Sequence, residues 1–207
     1  MRVTWVPFSA VGLVAGAAAL FAGALVTPMV SDDEALTLVR FEDERWVIVA
    51  TFYFAAACAL TLGLPSILTL FRTRNRLGLL AIGVFVIGCL GIAGYAMLLF
   101  FLRALAVTHS ATSDLSAVTE EPALLGFLYG WAGALYLGEL LLAIALLRNT
   151  STPRWIPIVL IGHVLTLPLS GVLPETAQVA TGLLITAGLA GLGVYAAQQY
   201  RRDPHPA

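Results

Sequence analysis

The chain contains no lysine; all eleven of its basic residues are arginine. Schiff-base chemistry is thereby excluded, and with it a covalently held retinal. The skew toward arginine fits a GC-rich bacterial genome. Charge of either sign is scarce, at 11% of 207 residues, against about 25% in an ordinary soluble domain. The three histidines include only one, His163, inside an apolar stretch. A bis-histidine haem within the chain is therefore not expected. The two cysteines, Cys58 and Cys89, form no CxxC, so neither zinc nor thiol redox chemistry has support. HExxH, P-loop and dinucleotide fingerprints are missing. No aspartate stands in an apolar stretch, and Ser170 in "PLSG" lacks the GxSG setting of an intramembrane serine site. Basic residues interleaved with aromatics, as a nucleic-acid surface needs, are lacking too. No cofactor, metal or nucleic-acid partner is expected.

What is present is apolar sequence, 59% of the chain. Residues 3–31, 46–71, 77–102, 155–174 and 176–200 carry no charge, and 122–147 carry only Glu139. About 20 apolar residues cross a bilayer as a helix. The expected fold is therefore all-α, a polytopic bundle of six transmembrane helices in one integral membrane domain, 1–207. The spans are approximately 5–27, 46–71, 77–101, 123–147, 155–173 and 177–199. The lipid bilayer is the first partner. The apolar run of span 1 far exceeds the roughly 7–15 residues of a signal-peptide core, so span 1 reads as retained despite the Ala-x-Ala pattern at Ala22 and Ala24.

Arginine placement orients the bundle, because basic residues favour the cytoplasmic side. When six spans alternate, eight arginines (2, 72, 74, 76, 148, 154, 201 and 202) share one side with both termini. Arg40, Arg45 and Arg103 fall on the other, together with ten of the twelve acids. Both termini are accordingly expected in the cytoplasm, with the protein in a bacterial plasma membrane. "FEDERW" and "TEEP" set acids at helix starts, where the dipole favours them. "STP" before Arg154 suggests a hydroxyl cap followed by proline in the first turn. "SDDE" in the first outer loop resembles a capping box, and the second outer loop reads as irregular. The outer acids could bind a cation, but dipole matching and topology account for them.

Small residues recur in "GLVAG" (12–16), "GCLGIAG" (88–94), "GFLYG" (126–130) and "AGLAGLG" (187–193). Such stripes let helix backbones approach in lipid. They are expected to pack the monomer, or to present a glycine-rich face to a second copy or a membrane partner. Pro65, Pro157 and Pro168 are expected to bend spans 2 and 5 and free carbonyls.

Glu139 stands alone in "ALYLGELLLAIALLR". It lies nine residues before Arg148, and His163 lies nine residues after Arg154. Each is thus about 13 Å deep, on spans joined by a short turn. Insertion scales put a charge at mid-bilayer at about 2.5–3.5 kcal/mol. Glu139 avoids much of this by protonation or by sharing a proton with His163. The two are therefore expected to be partners. Tyr136 shares the Glu139 helix face, Thr166 shares that of His163, and Ser66 and Thr61 reach similar depth. Together they would line a small polar pocket for a proton or ligand. Three functions follow: a membrane protein binding or moving a proton-coupled solute, a non-catalytic accessory subunit, or an intramembrane enzyme acting on a lipid or quinone. The halves show no convincing inverted similarity, which weakens the transporter reading.

Overall fold

The computed structural model describes residues 5–28, 41, 43–71, 76–108, 121–149, 151–169 and 175–202, the last from its backbone alone over 175–179. These residues are almost wholly helical, with no strand among them. The elements are α1 (Trp5–Val26), α2 (Arg45–Gly63), α3 (Pro65–Leu68), α4 (Arg76–Val107), α5 (Pro122–Leu147), α6 (Trp155–Thr166), a 3-10 turn (Leu167–Leu169) and α7 (Glu175–Arg202). Five helices are long and apolar enough to cross a membrane: Trp5–Val26, Arg45–Leu68, Arg76–Val107, Pro122–Leu147 and Ala180–Arg202. The sixth apolar segment, Trp155–Leu169, is shorter. Its described helical part extends about 20 Å, less than the roughly 30 Å hydrocarbon core; residues 170–173 of the expected span lie outside the described residues. Helix α4 continues past its expected end to Val107.

The helices form a ring in chain order, α1 against α2, α2 against α4, α4 against α5, α5 against α6 and α6 against α7, closed by α7 against α1. Glycines fix the approach of neighbours and show that they run antiparallel. A Cβ at Gly16 would lie 2.7 Å from the Leu60 nitrogen, and one at Gly138 2.5 Å from the Phe85 nitrogen. Side chains there would push α1 off α2 and α5 off α4. Gly188 meets Leu160, Gly191 meets Trp155 and Gly193 meets Ala10. Three of the four small-residue motifs therefore pack inside the monomer. For "GFLYG", no described residue lies within 4 Å of a Cβ built on Gly126, Gly130 or the nearby Gly133.

Each of the six long elements contributes to one core, through Leu13, Leu60, Phe85, Leu142, Leu160 and Leu189, all fully buried. A second cluster joins Phe41, Trp46, Val49 and Leu99 toward the start of α2 and the end of α4. The two rings of Phe41 and Trp46 lie 5.1 Å apart there.

Two of the three expected proline bends are seen. The helix breaks between α2 and α3 at Leu64, and Pro168 sits in the 3-10 turn. Pro157 lies in the first turn of α6, where its missing N–H breaks no ladder bond. Near the Pro65 break the Ser9 hydroxyl of α1 lies 2.8 Å from the carbonyls of both Leu62 and Gly63 and accepts a 3.0 Å bond from the Ser66 N–H.

Helix starts follow the sequence in part. Glu121 accepts from Leu124 N at 2.6 Å and Pro122 occupies the first turn, as "TEEP" suggested. Asp43 accepts from the Arg45 N–H at 2.8 Å and pairs with its guanidinium. That pairing holds the exposed carboxyl below its ordinary range. The hydroxyl cap expected from "STP" is not made. Ser151 bonds Asn149 instead, and the Thr152 hydroxyl is buried without a partner. Asn149 also donates to the Leu70 carbonyl at 2.6 Å, tying this turn to the end of α3. The expected capping box and the second outer loop lie outside the described residues.

Candidate proton site and aromatic cavity

Glu139 and Gly138 are neighbours in the middle of α5. Gly138 seats the helix on Phe85 of α4, while Glu139 turns toward α6. Its Oε2 lies 2.8 Å from Nδ1 of His163. Glu139 has no exposed surface, and His163 retains 7%. The carboxylate's other oxygen, Oε1, is buried and hydrogen-bonds no described residue. The two ionisable groups deep in the apolar stretches thus meet directly.

A carboxyl–imidazole bond has two neutral-sum forms, carboxylate with imidazolium and carboxylic acid with imidazole. One proton moves between them along the 2.8 Å bond. A further proton makes the pair cationic, and loss of one makes it anionic. The two groups therefore hold their proton jointly, through this one bond. A bare Oε1 is the acceptor such a unit would offer to an incoming donor.

The other expected site residues are placed as follows. Tyr136 lies one turn before Glu139, and its ring stacks on His163, with centroids 5.3 Å apart and planes 18° apart. Thr166 donates to the His163 carbonyl at 2.6 Å, closing the last turn of α6. Ser66 donates to the Gly63 carbonyl at 2.7 Å and Thr61 to the Ala57 carbonyl at 2.8 Å. These three hydroxyls satisfy main-chain groups, and none bonds the side chain of Glu139 or of His163. Ser170 lies outside the described residues. Among the described residues no cluster of three or more His, Cys, Asp or Glu could hold a metal.

A feature without a sequence signal lies beside the pair. A half-open cavity of about 420 Å³ lies among α1, α2, α4 and α5. Four of the six tyrosines line it, Tyr53, Tyr95, Tyr129 and Tyr136, together with Trp131. Its wall joins the two cores, because Leu20 and Leu135 pack on the first and Tyr53 on the second. Tyr136 belongs to both features: it walls the cavity and covers the imidazole. Tyr129 and Ala132 share its helix face, at positions seven and four residues before it. Tyr53 and Tyr95 come from spans 2 and 3, and their rings meet at 6.0 Å through tertiary packing alone. Ser9 was missed for the same reason.

The arrangement defines a multi-pass type of helical membrane protein with a buried carboxyl–imidazole pair beneath an aromatic cavity. No family model, no curated protein and no solved structure matches the chain.

Proposed function

We propose that the protein binds or moves a small solute with exchange of a proton at the Glu139–His163 pair. The observation that carries this reading is the fully buried Glu139, bonded through Oε2 to His163 while Oε1 has no partner among the described residues. Ionisable groups at this depth are expensive and are generally kept for function. A purely structural hydrogen bond of this kind contributes only about 0.6 kcal/mol on average in membranes. A neutral pair such as two leucines would fill the same space at no desolvation cost.

In this reading all six apolar segments enter the plasma membrane of a bacterium, with both termini cytoplasmic. The arginines of 72–76, 148–154 and 201–202 then lie inside the cell, as the positive-inside tendency requires. The antiparallel packing of α6 between α5 and α7 supports an even number of passes. The test is proton uptake into proteoliposomes after a pH step, comparing wild type with Glu139→Gln. Uptake is expected in wild type and lost in the variant. Identical traces remove proton exchange from the function.

A second reading, an accessory subunit that docks on a partner, is favoured by one observation. Gly126, Gly130 and Gly133 form an open stripe on α5. Such a stripe suits a close helix–helix contact in lipid.

A further inference from the structure

We propose that the tyrosine-lined cavity binds a neutral, lipid-soluble molecule whose head is a planar ring bearing carbonyl groups, a quinone in chemical class. This names the solute of the proposed function and rests on that reading only for the proton; the binding itself requires none.

Size comes first. A cavity of about 420 Å³ falls within the range of small-molecule sites, roughly 300–1,000 Å³. Among the described residues no charged one lines it, so neither a carboxylate nor an ammonium would find a counter-charge there, and a charged head would be desolvated without return. The ligand is therefore neutral. The walls offer flat aromatic faces, and these favour a flat ring through offset stacking.

The polar groups of the wall then select the ring's substituents. They are phenol hydroxyls and the Trp131 indole N–H. Tyr129 and Tyr136 both line the cavity, and neither hydroxyl bonds another described residue. A donor left unpaired in an apolar setting costs free energy. An acceptor oxygen on the ligand removes that cost, and a carbonyl is a neutral acceptor that carries no proton of its own. Entry from the bilayer is consistent with the rim: Tyr129 is 73% exposed and stands in the membrane-crossing part of α5. An aliphatic tail fits beside Leu20, Leu128 and Ile92.

The experiment uses the full chain in nanodiscs and a benzoquinone with a ten-carbon tail. Quenching of Trp131 is read as the difference between wild type and Trp131→Phe. Saturable quenching is expected in wild type. Ala132→Phe places a ring in the cavity from an exposed helix position, and is expected to remove the saturable component. Tyr136→Phe keeps the wall but deletes a donor, and should weaken binding roughly three- to tenfold. Decylbenzene, matched in tail and ring but without carbonyls, should compete poorly.

Three results overturn the proposal. Quenching that never saturates in wild type removes the site. Unchanged binding in Ala132→Phe places the quinone elsewhere. Competition by decylbenzene as strong as that by unmodified quinone makes the cavity an acyl-chain site. Failure of the proton-uptake experiment with quinone binding intact would remove proton exchange and leave the ligand. The reverse pattern would leave proton exchange and remove the ligand.

Discussion

The Tyr136 ring stacks on the His163 ring, 5.3 Å between centroids, and also lines the cavity, among whose described lining residues His163 is not found. The coverage depends on the aromatic ring and not on its hydroxyl. Tyr136→Phe is therefore expected to leave His163 as protected as in wild type, whereas Tyr136→Ala exposes it. Diethyl pyrocarbonate labelling, read at the His163 peptide by mass spectrometry, distinguishes the two. Equal labelling of all three proteins would mean that Tyr136 is no cover.

Glu139 and His163 satisfy each other, so removing one should be worse than replacing it by an isostere. Glu139→Gln keeps an oxygen that accepts from the Nδ1–H. Glu139→Ala leaves that donor buried and opens a void. The alanine variant is expected to lose about 1–2 kcal/mol more than the glutamine variant, between the values found for membrane hydrogen bonds and for orphaned buried donors. Unfolding in mixed micelles with increasing denaturing detergent measures the difference. Equal losses would show that the pair adds nothing to stability.

The Ser9 hydroxyl repairs a helix break on another element. It accepts from Ser66 N–H and lies against two carbonyls freed near Pro65. Ser9→Ala removes the partner of the Ser66 N–H and of the Leu62 carbonyl, while the Gly63 carbonyl keeps its bond from the Ser66 hydroxyl; a loss of about 1–3 kcal/mol is expected. Pro65→Ala restores a backbone N–H and allows the ladder to run on from α2 into α3. In that background Ser9→Ala should cost clearly less, so the double-mutant cycle is non-additive. Simple additivity in the same micelle unfolding assay would separate Ser9 from the break.

Much of this was legible in the sequence because lipid imposes few solutions. Charge-free runs mark helices, since backbone polar groups in a bilayer must be satisfied within the segment. The pairing of Glu139 with His163 followed from equal distances to flanking arginines across a short turn. Other features were not legible because they depend on tertiary placement. Nothing in the spacing of Tyr53 and Tyr95 says that their rings meet, or that they share a wall with Tyr129. Ser66 was read as part of a polar site by depth alone. Its main-chain partners reflect the local break at Leu64, where a hydroxyl is needed nearby. The change from α-helix to 3-10 turn after Thr166 follows from Pro168, whose effect on a last turn can be either a kink or a stop.

Gly88, Gly138 and Gly130 look alike in the sequence but stand in different surroundings. A Cβ on Gly88 would run into the Leu135 backbone, and one on Gly138 into Phe85, whereas Gly130 faces open space. Gly88→Val or Gly138→Val must separate α4 from α5 and shift Glu139 away from His163. Overpacking of this kind costs about 1–3 kcal/mol, occasionally more, and the proton-uptake signal is expected to fall with it. Gly130→Val should leave unfolding in micelles unchanged. It would act only where another helix lies on that face. Sedimentation in detergent, or cross-linking in native membranes, then reads the open stripe directly. An association lost in Gly130→Val but kept in wild type marks a docking face. Indistinguishable profiles, in a variant whose fold is intact, leave α5 bare to lipid and remove the accessory-subunit reading.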